Sequence, residues 1–294
     1  MLDLPYFDLL MDERQDGGEI GRLWEHQVHY GYWEDPKAAE GTRADYVAAM
    51  EQMNGVLLEA GKVADGQRLL DVGCGFGGTI QQINAGHCDM HLTGLNIDPR
   101  QLAAAEAQTK AANGNHIAWV EADACQLPFE DNSFDRAFSM LVLQFIPDAA
   151  RAVAEMRRVV RSGGTVTAAV WDAYGGMPHM RMVWDIAAVL DPSIEGDFFR
   201  PLSQPNEMAN LWHELGFVEV EQTSLLIRME FSGFDDYWLP LTSEGPLAKF
   251  AAGLSATARA SLTEQVRRAY VANLSDGPRS FASVAWACRG TVPA

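Results

Sequence analysis

From Leu69 onward the hydrophobic pattern switches repeatedly between two periods. Short, mostly apolar runs at 68–72 ("RLLDV"), 91–97 ("HLTGLNI"), 116–121 ("HIAWVE"), 135–140 ("DRAFSM") and 165–171 ("TVTAAVW") predict strands. Between them, 78–85, 99–112 and 148–160 space their apolar residues every three to four positions, which predicts helices. Asp98 followed by Pro99 marks the start of the second helix as a cap and first-turn pair. Gly163–Gly164 is expected to stop the third before the fifth strand. Alternation of this kind with short connections specifies a parallel sheet covered on both faces.

After the fifth strand the order changes. A loop containing Gly, Met and Pro (173–182) leads to helices near 181–190 and at 205–217, the latter stopped by Gly216. A long strand signal follows at 218–231, then a helical, aromatic stretch (232–279) and a final strand at 280–289. Upstream, 43–60 has helical spacing, whereas 1–40 is irregular and rich in aromatics. The expected organisation is a lid and helix (1–60), an α/β core (61–231), a helical cap (232–279) and the last core strand (280–294).

Composition narrows the function classes. The 294 residues are 48% hydrophobic and 21% charged, ordinary for a globular chain with a real core. With 40 acids against 22 bases, the net charge is −18, and no basic stripe offers a nucleic-acid footprint. The densest basic run, "RRVVR" (157–161), falls where cations complement a helix end. Four scattered cysteines lack metal-ligand spacing and fit reduced thiols, so no metal is expected. Neither a signal-peptide core nor a membrane-length apolar run is found, which gives a cytoplasmic enzyme without membrane insertion as the expectation.

The candidate chemistry begins at "LLDVGCGFGG" (69–78), a glycine loop between a strand and a helix. Glycines there permit left-handed backbone and let a ligand approach the main chain. Gly73, Gly75 and Gly78 also satisfy G-x-G-x-x-G, which admits a dinucleotide. Asp71 discriminates, because a carboxylate there suits an ammonium group and repels a pyrophosphate. At the end of the second strand, where an acid usually grips ribose hydroxyls, stands Asn96. Its carboxamide still offers one donor and one acceptor. Asp98 lies beyond the strand end, where helix capping claims it.

Taken together, "LLDVGCGFGG", "VEADACQLPFEDNSFD" (120–135) and "MLVLQFIPDAARAVAEMRRVVRSGGTVTAAVW" (140–171) resemble class I S-adenosylmethionine (SAM)-dependent methyltransferases. The resemblance is closest to the small-molecule branch that holds ubiquinone-, sterol- and natural-product-type enzymes. It implies an α/β, Rossmann-like, seven-stranded sheet with helices on both faces and the last strand antiparallel between strands five and six. SAM is the implied cofactor and S-adenosylhomocysteine (SAH) the product. Asp71 with the loop residues Gly73, Cys74, Gly75 and Gly77 would hold the methionine end. Asn96 and Ile97 fall at the ribose, Asp123 and the Ala124 backbone at adenine, and Met140 and Leu141 on the floor. For Asp123 the bland alternative is a strand-end cap.

The segment "HQVHYGYWEDP" (26–36) resembles that branch's N-terminal lid, so Tyr30, Tyr32 and Trp33 are expected over the cofactor. The alternative is that they pin the arm to the core. His29 is the candidate general base, with His26 and His179 behind it. Gln144, Trp171, Tyr174, Met177, His179, Met180 and Trp184, with Tyr237 and Trp238 of the insertion, are the candidate acceptor lining. For Gln144 a helix-start role competes; for Trp184 and Trp238, the insertion's own core. The expected reaction is methyl transfer to an O, N or C nucleophile of a small, largely apolar metabolite. The cap also offers a surface for a homodimer. The competing readings are an NAD(P)-dependent oxidoreductase and a SAM- or SAH-binding scaffold without transfer.

Overall fold

Four of the five residues of β1 (Arg68–Val72) are buried, because it lies between parallel neighbours, β2 (His91–Asn96) and β4 (Phe134–Met140). The computed structural model describes residues 42–192, 200–243 and 245–294, most of 25–40, and Met11, Arg14 and Arg22. Adding β3 (His116–Glu121), β5 (Val160–Trp171), β6 (Val218–Phe231) and β7 (Arg279–Thr291) gives a seven-stranded sheet of order β3-β2-β1-β4-β5-β7-β6. β7 is antiparallel to both neighbours and sits between β5 and β6, as the resemblance implied.

The helices are α1 (Arg43–Ala60), α2 (Gly78–Gly86), α3 (Pro99–Gln108), α4 (Ala149–Val159), α5 (Pro178–Leu190) and α6 (Glu207–Glu214). Two apolar clusters lie against the sheet. One joins α4 and Trp212 of α6 to β4 and β5; the other joins Met53 and Leu57 of α1 to Leu69, Ile80 and Phe138. Between β6 and β7 come α7 (Phe234–Ser243), α8 (Gly245–Gly253) and α9 (Ala256–Val271). They share a third cluster with Val183 and Ala187 of α5. Among the described residues no helix is long and apolar enough to cross a membrane.

Two element ends differ from the expectation. Gly163–Gly164 does not stop a helix: α4 passes directly into β5 at Val160, and the glycines lie inside the strand. The β4–β5 register shifts there, with Gly163 at φ +74° and its N–H donating to Val292 O. A glycine pair serves a bulge as well as a helix stop. Helix α3 ends at Gln108 rather than 112, because Asn84 of α2 captures the next segment through Lys110 O (2.9 Å) and Ala112 N (3.0 Å).

Candidate active site

The glycine loop leaves β1 and is tied to β2 by the amides of Gly73 and Cys74, which both donate to Leu95 O at 2.8 and 3.0 Å. Gly73, Gly75 and Gly77 are all left-handed, at φ +80°, +52° and +82°. A Cβ on Gly73 would lie 2.5 Å from Val142 and one on Gly77 2.7 Å from Trp119, but at Gly75 nothing lies within 4 Å. The loop is thus tightly packed on either side of one open position. Asp71, 1% exposed, keeps Oδ2 without a partner. Burial pushes its carboxyl up to about 7 against a favourable hydrogen bond from Thr79. Cys74 is buried, and desolvation, then the Asp71 charge, hold its thiol far above the ordinary range, so it is no nucleophile.

At the end of β2, Asn96 Nδ2 donates to Gln101 Oε1 at 2.7 Å, with both side chains buried. Ile97 is half-buried. Asp98 caps α3 through Arg100 N (2.8 Å) and pairs with Arg100 Nη2 (2.6 Å), the capping role expected of it. Those Arg100 contacts hold its carboxyl below the usual range against the effect of burial. Asp123 is exposed and accepts from Cys125 N at 2.8 Å, a local cap, while Ala124 is buried beside it.

The N-terminal segment crosses this loop. A Cβ on Gly78, the first residue of α2, would lie 2.6 Å from His26 O and would meet Gln27 Cγ. Gln108 Nε2 donates to Phe76 O (2.6 Å) and Glu25 O (3.5 Å). Arg14 sits 4.2 Å over the Phe76 ring and donates to Gln108 Oε1 (3.1 Å) and Glu25 O. His29 is buried with Nδ1 2.9 Å from Tyr30 O. A carbonyl only accepts, so Nδ1 carries the hydrogen and Nε2 is a bare lone pair, which has no partner. Burial lowers its pKa, opposed by the Tyr30 carbonyl and by Asn54.

Tyr30 packs edge-on against Trp171 (5.3 Å) and lies 6.2 Å from His179. Trp33 departs from the expectation. Its Nε1 donates to Asp45 (3.0 Å) and its ring meets Tyr46 of α1, so it pins the arm rather than covering the loop. Tyr32 donates its amide to Ala49 O (2.9 Å). With Trp33 it lines a groove along α1 to which no glycine-loop residue contributes.

At the end of β4, Met140 is half-buried, and Leu141 takes φ +57° while donating to Ala169 O at 2.9 Å. Gln144 is buried and accepts from Trp171 N at 2.7 Å, so it braces the end of β5. The Tyr174 amide closes a turn on Asp172 Oδ1 (3.1 Å). His179, buried at the start of α5, has Nδ1 3.3 Å from Ser283 Oγ and no partner at Nε2. Burial lowers its pKa to about 4. Tyr237 and Trp238 are corrections: both belong to the cap core, where Tyr237 packs on Tyr270 and Trp238 on Phe234. The Tyr237 hydroxyl donates to His179 O at 2.6 Å, a contact that braces the α5 start. Trp184 faces Phe250 of the cap at 5.3 Å.

Comparison with known proteins agrees with this geometry. Residues 70–168 match a methyltransferase domain family. The O-methyltransferase rstn1 of Aspergillus nomiae is 29% identical over 67% of this chain and 83% of its own length. The O-methyltransferase cnsE of Penicillium expansum is 30% identical over 67% of each. In fold, the chain resembles geranyl diphosphate C-methyltransferase from Streptomyces coelicolor A3(2), solved with SAH. There the TM-score is 0.57 at 16% identity, covering 95% of this chain and 98% of that one. The chain is a class I SAM-dependent methyltransferase. Methyl transfer therefore displaces both the dinucleotide-oxidoreductase and the scaffold readings.

The methyltransferase's own residues fit SAM. The orphaned Asp71 Oδ2 is a buried acceptor for an ammonium group, and the open face of Gly75 is where a ligand can approach backbone. Gly73 contributes shape rather than a donor, since its amide is already spent on Leu95. Sequence reasoning missed Gln101 and Gln108. Both sit on α3, where a polar residue reads as solvent-facing, and only their partners on β2 and the glycine loop reveal them. Among the described residues, no group of three or more His, Cys, Asp or Glu is arranged to hold a metal.

Proposed function

We propose that this methyltransferase methylates a hydroxyl of a small, largely apolar, ring-containing metabolite. The observation that carries the acceptor class is the convergence of Tyr30, Trp171 and His179 at the carboxyl end of β5, beside the glycine loop's end of the sheet. The naming of rstn1 and cnsE as O-methyltransferases supports oxygen as the atom.

SAM, when bound, supplies a methyl group already activated on a sulfonium centre. The chain's work is to bind, align and exclude water. In this reading Asp71 and the Gly75 backbone hold the amino-acid end, with Gly73, Cys74 and Gly77 shaping the loop. Asn96, Ile97 and the newly recognised Gln101 take the ribose. Asp123 and Ala124 take the adenine edge, and Met140 and Leu141 lie beneath the methionine portion. Tyr30 and Tyr32 belong to the covering segment. Trp171, Tyr174, His179 and Trp184 form the acceptor side. His29, whose Nδ1 is held by Tyr30 O, is the group proposed to accept the hydroxyl proton.

The functional division follows as 1–60 lid and helix, 61–231 SAM-binding core, 232–279 cap and 280–294 closing strand. The acidic charge supports a small-molecule acceptor and no nucleic-acid partner, and the four unpaired thiols support a cytoplasmic enzyme. Exposed Leu239 and Leu274 give the cap a surface for a homodimer contact.

The test pairs calorimetry with SAH and turnover with methyl-labelled SAM over a panel of hydroxylated aromatics and isoprenoids. SAH binding with label on a hydroxyl oxygen is the expected result. Label found only on nitrogen or carbon would overturn the oxygen assignment.

A further inference from the structure

Asp71 of β1, Gly94 of β2 and Trp119 of β3 stand in one row across the sheet, each in register with the next. Residues paired in this way face the same side of a sheet. Here it is the side of α1 and α2, where Trp119 packs with the cluster that holds Leu57, Leu69 and Ile80. The middle of the row has no side chain, and the indole fills the gap. A Cβ on Gly94 would lie 2.5 Å from Cζ3 and 2.6 Å from Cε3 of Trp119, so the six-membered ring lies over Gly94. The far edge of the same ring reaches the glycine loop. A Cβ on Gly77 would lie 2.7 Å from Cη2 of Trp119 and 3.1 Å from the Ala105 Cβ of α3.

These contacts fall at both ends of one turn. Gly77 N donates to Cys74 O at 2.8 Å and closes residues 74–77. At one end, Cys74 Sγ rests over the bare backbone of Gly94, 3.0 Å from where a Cβ would stand. At the other, Gly77 rests on the edge of the indole, and as the left-handed cap of α2 (φ +82°) it also fixes where that helix starts. Gly75, the open position, lies between the two supports. The level of the open position above the sheet is therefore set from below, and a residue of the outermost strand supplies half of the support.

We propose that Trp119 is a positioning residue for the cofactor: its indole, seated against Gly94 and Gly77, holds the 74–77 turn at the height at which the amino-acid end of the cofactor meets the Gly75 backbone. This rests on the cofactor site described above and adds a residue that acts on the ligand through the loop. The adenosine half, assigned to the ends of β2 and β3, does not depend on it.

The experiment uses the full chain and two probes, SAH and 5′-methylthioadenosine, which keeps the adenosine and the sulfur but has no amino-acid end. Trp119→Leu retains an apolar side chain on β3 and removes the outer ring. Because Trp119 is only half-buried on an edge strand, this variant should fold, which a thermal melt checks. Calorimetry should show SAH weakened about tenfold, as expected when the support beneath a binding group is lost, with methylthioadenosine unchanged. Gly94→Ala pushes on the indole from the other side and should give the same selective loss with Trp119 in place. In the double variant the added methyl finds the space the ring has left, so SAH should bind no more weakly than to Trp119→Leu alone. Equal weakening of both probes would reduce Trp119 to general support of the sheet and overturn the proposal. So would unchanged SAH binding in Trp119→Leu, or losses that simply multiply in the double variant. A parent chain that binds neither probe strikes down the cofactor site and this inference with it; one that binds both, with variants that do not separate them, strikes down only the inference.

Discussion

Asn96 and Gln101 hold one another across the corner between β2 and α3, with Asn96 Nδ2 donating to Gln101 Oε1 at 2.7 Å in a buried site. The residue proposed at the ribose, where an acid is usual, thus orients a second amide. Asn96→Asp should leave SAH affinity unchanged or tighter, because Gln101 can turn its NH₂ toward the new carboxylate. Gln101→Ala should weaken SAH by about tenfold, since it strands the Asn96 donor. Calorimetry reads both. Abolished binding in Asn96→Asp would show that Asn96 is not at the ribose.

The glycine loop separates folding from binding. Gly73→Ala combines a left-handed backbone with a Cβ 2.5 Å from Val142, so a thermal melt should drop by several degrees. Gly75→Ala carries the backbone strain alone, about 1 kcal/mol, because its Cβ enters open space. In the proposed site that space takes the cofactor's backbone contact, so Gly75→Ala should fold and yet lose SAH affinity. Equal SAH binding by Gly75→Ala and the parent would remove the loop from the site.

Asp71 gives a pH signature with a defined sign. Its folded carboxyl titrates near 7, above the unfolded value of 3.8. Between those values the folded chain holds the extra proton, so this group's contribution to stability falls as pH rises and levels off above 7. Binding an ammonium favours the ionised form and releases that proton. SAH affinity should therefore rise with pH from about 5.5 to about 7 and then flatten. Asp71→Asn should remove the slope in isothermal titrations across that range. A slope that persists in the variant would assign it to another group.

Gln108 bridges the glycine loop and the N-terminal segment, reaching Phe76 O, Glu25 O and Arg14. Gln108→Leu should speed SAH dissociation several-fold while moving the melting temperature little, since the bonds lost hold the cover rather than the sheet. Stopped-flow displacement measures the rate. An unchanged rate would mean that the cover does not gate the cofactor.

The sheet was legible because its strands carry local signals. β1 and β3 begin and end where the hydrophobic pattern places them, and so does β6, bounded by Gly216 and Ser232–Gly233. The capping role of Asp98 was legible for the same reason, since it stands directly before the Pro99 that opens α3. What stayed hidden depends on partners distant in the chain. Trp33 has the composition of a lid residue, and only Asp45 on α1 turns it away from the loop. Tyr237 and Trp238 would look alike in a pocket or a core, and packing on Tyr270 and Phe234 decides for the core. His179 meets Ser283, 104 residues away, a relation no local pattern carries.

The position of β7 bears on how this protein is made. It follows the other six strands of the sheet in the chain, yet it is an interior strand, hydrogen-bonded to β5 on one side and β6 on the other. Until it leaves the ribosome, both neighbours present an open edge, the kind of surface that templates pairing between chains. Closing the sheet must also wait for α7–α9 to be in place, because they connect β6 to β7. A premature stop after residue 278 would thus leave a split sheet with two sticky margins, and such a product should be cleared or aggregate instead of surviving as an active enzyme.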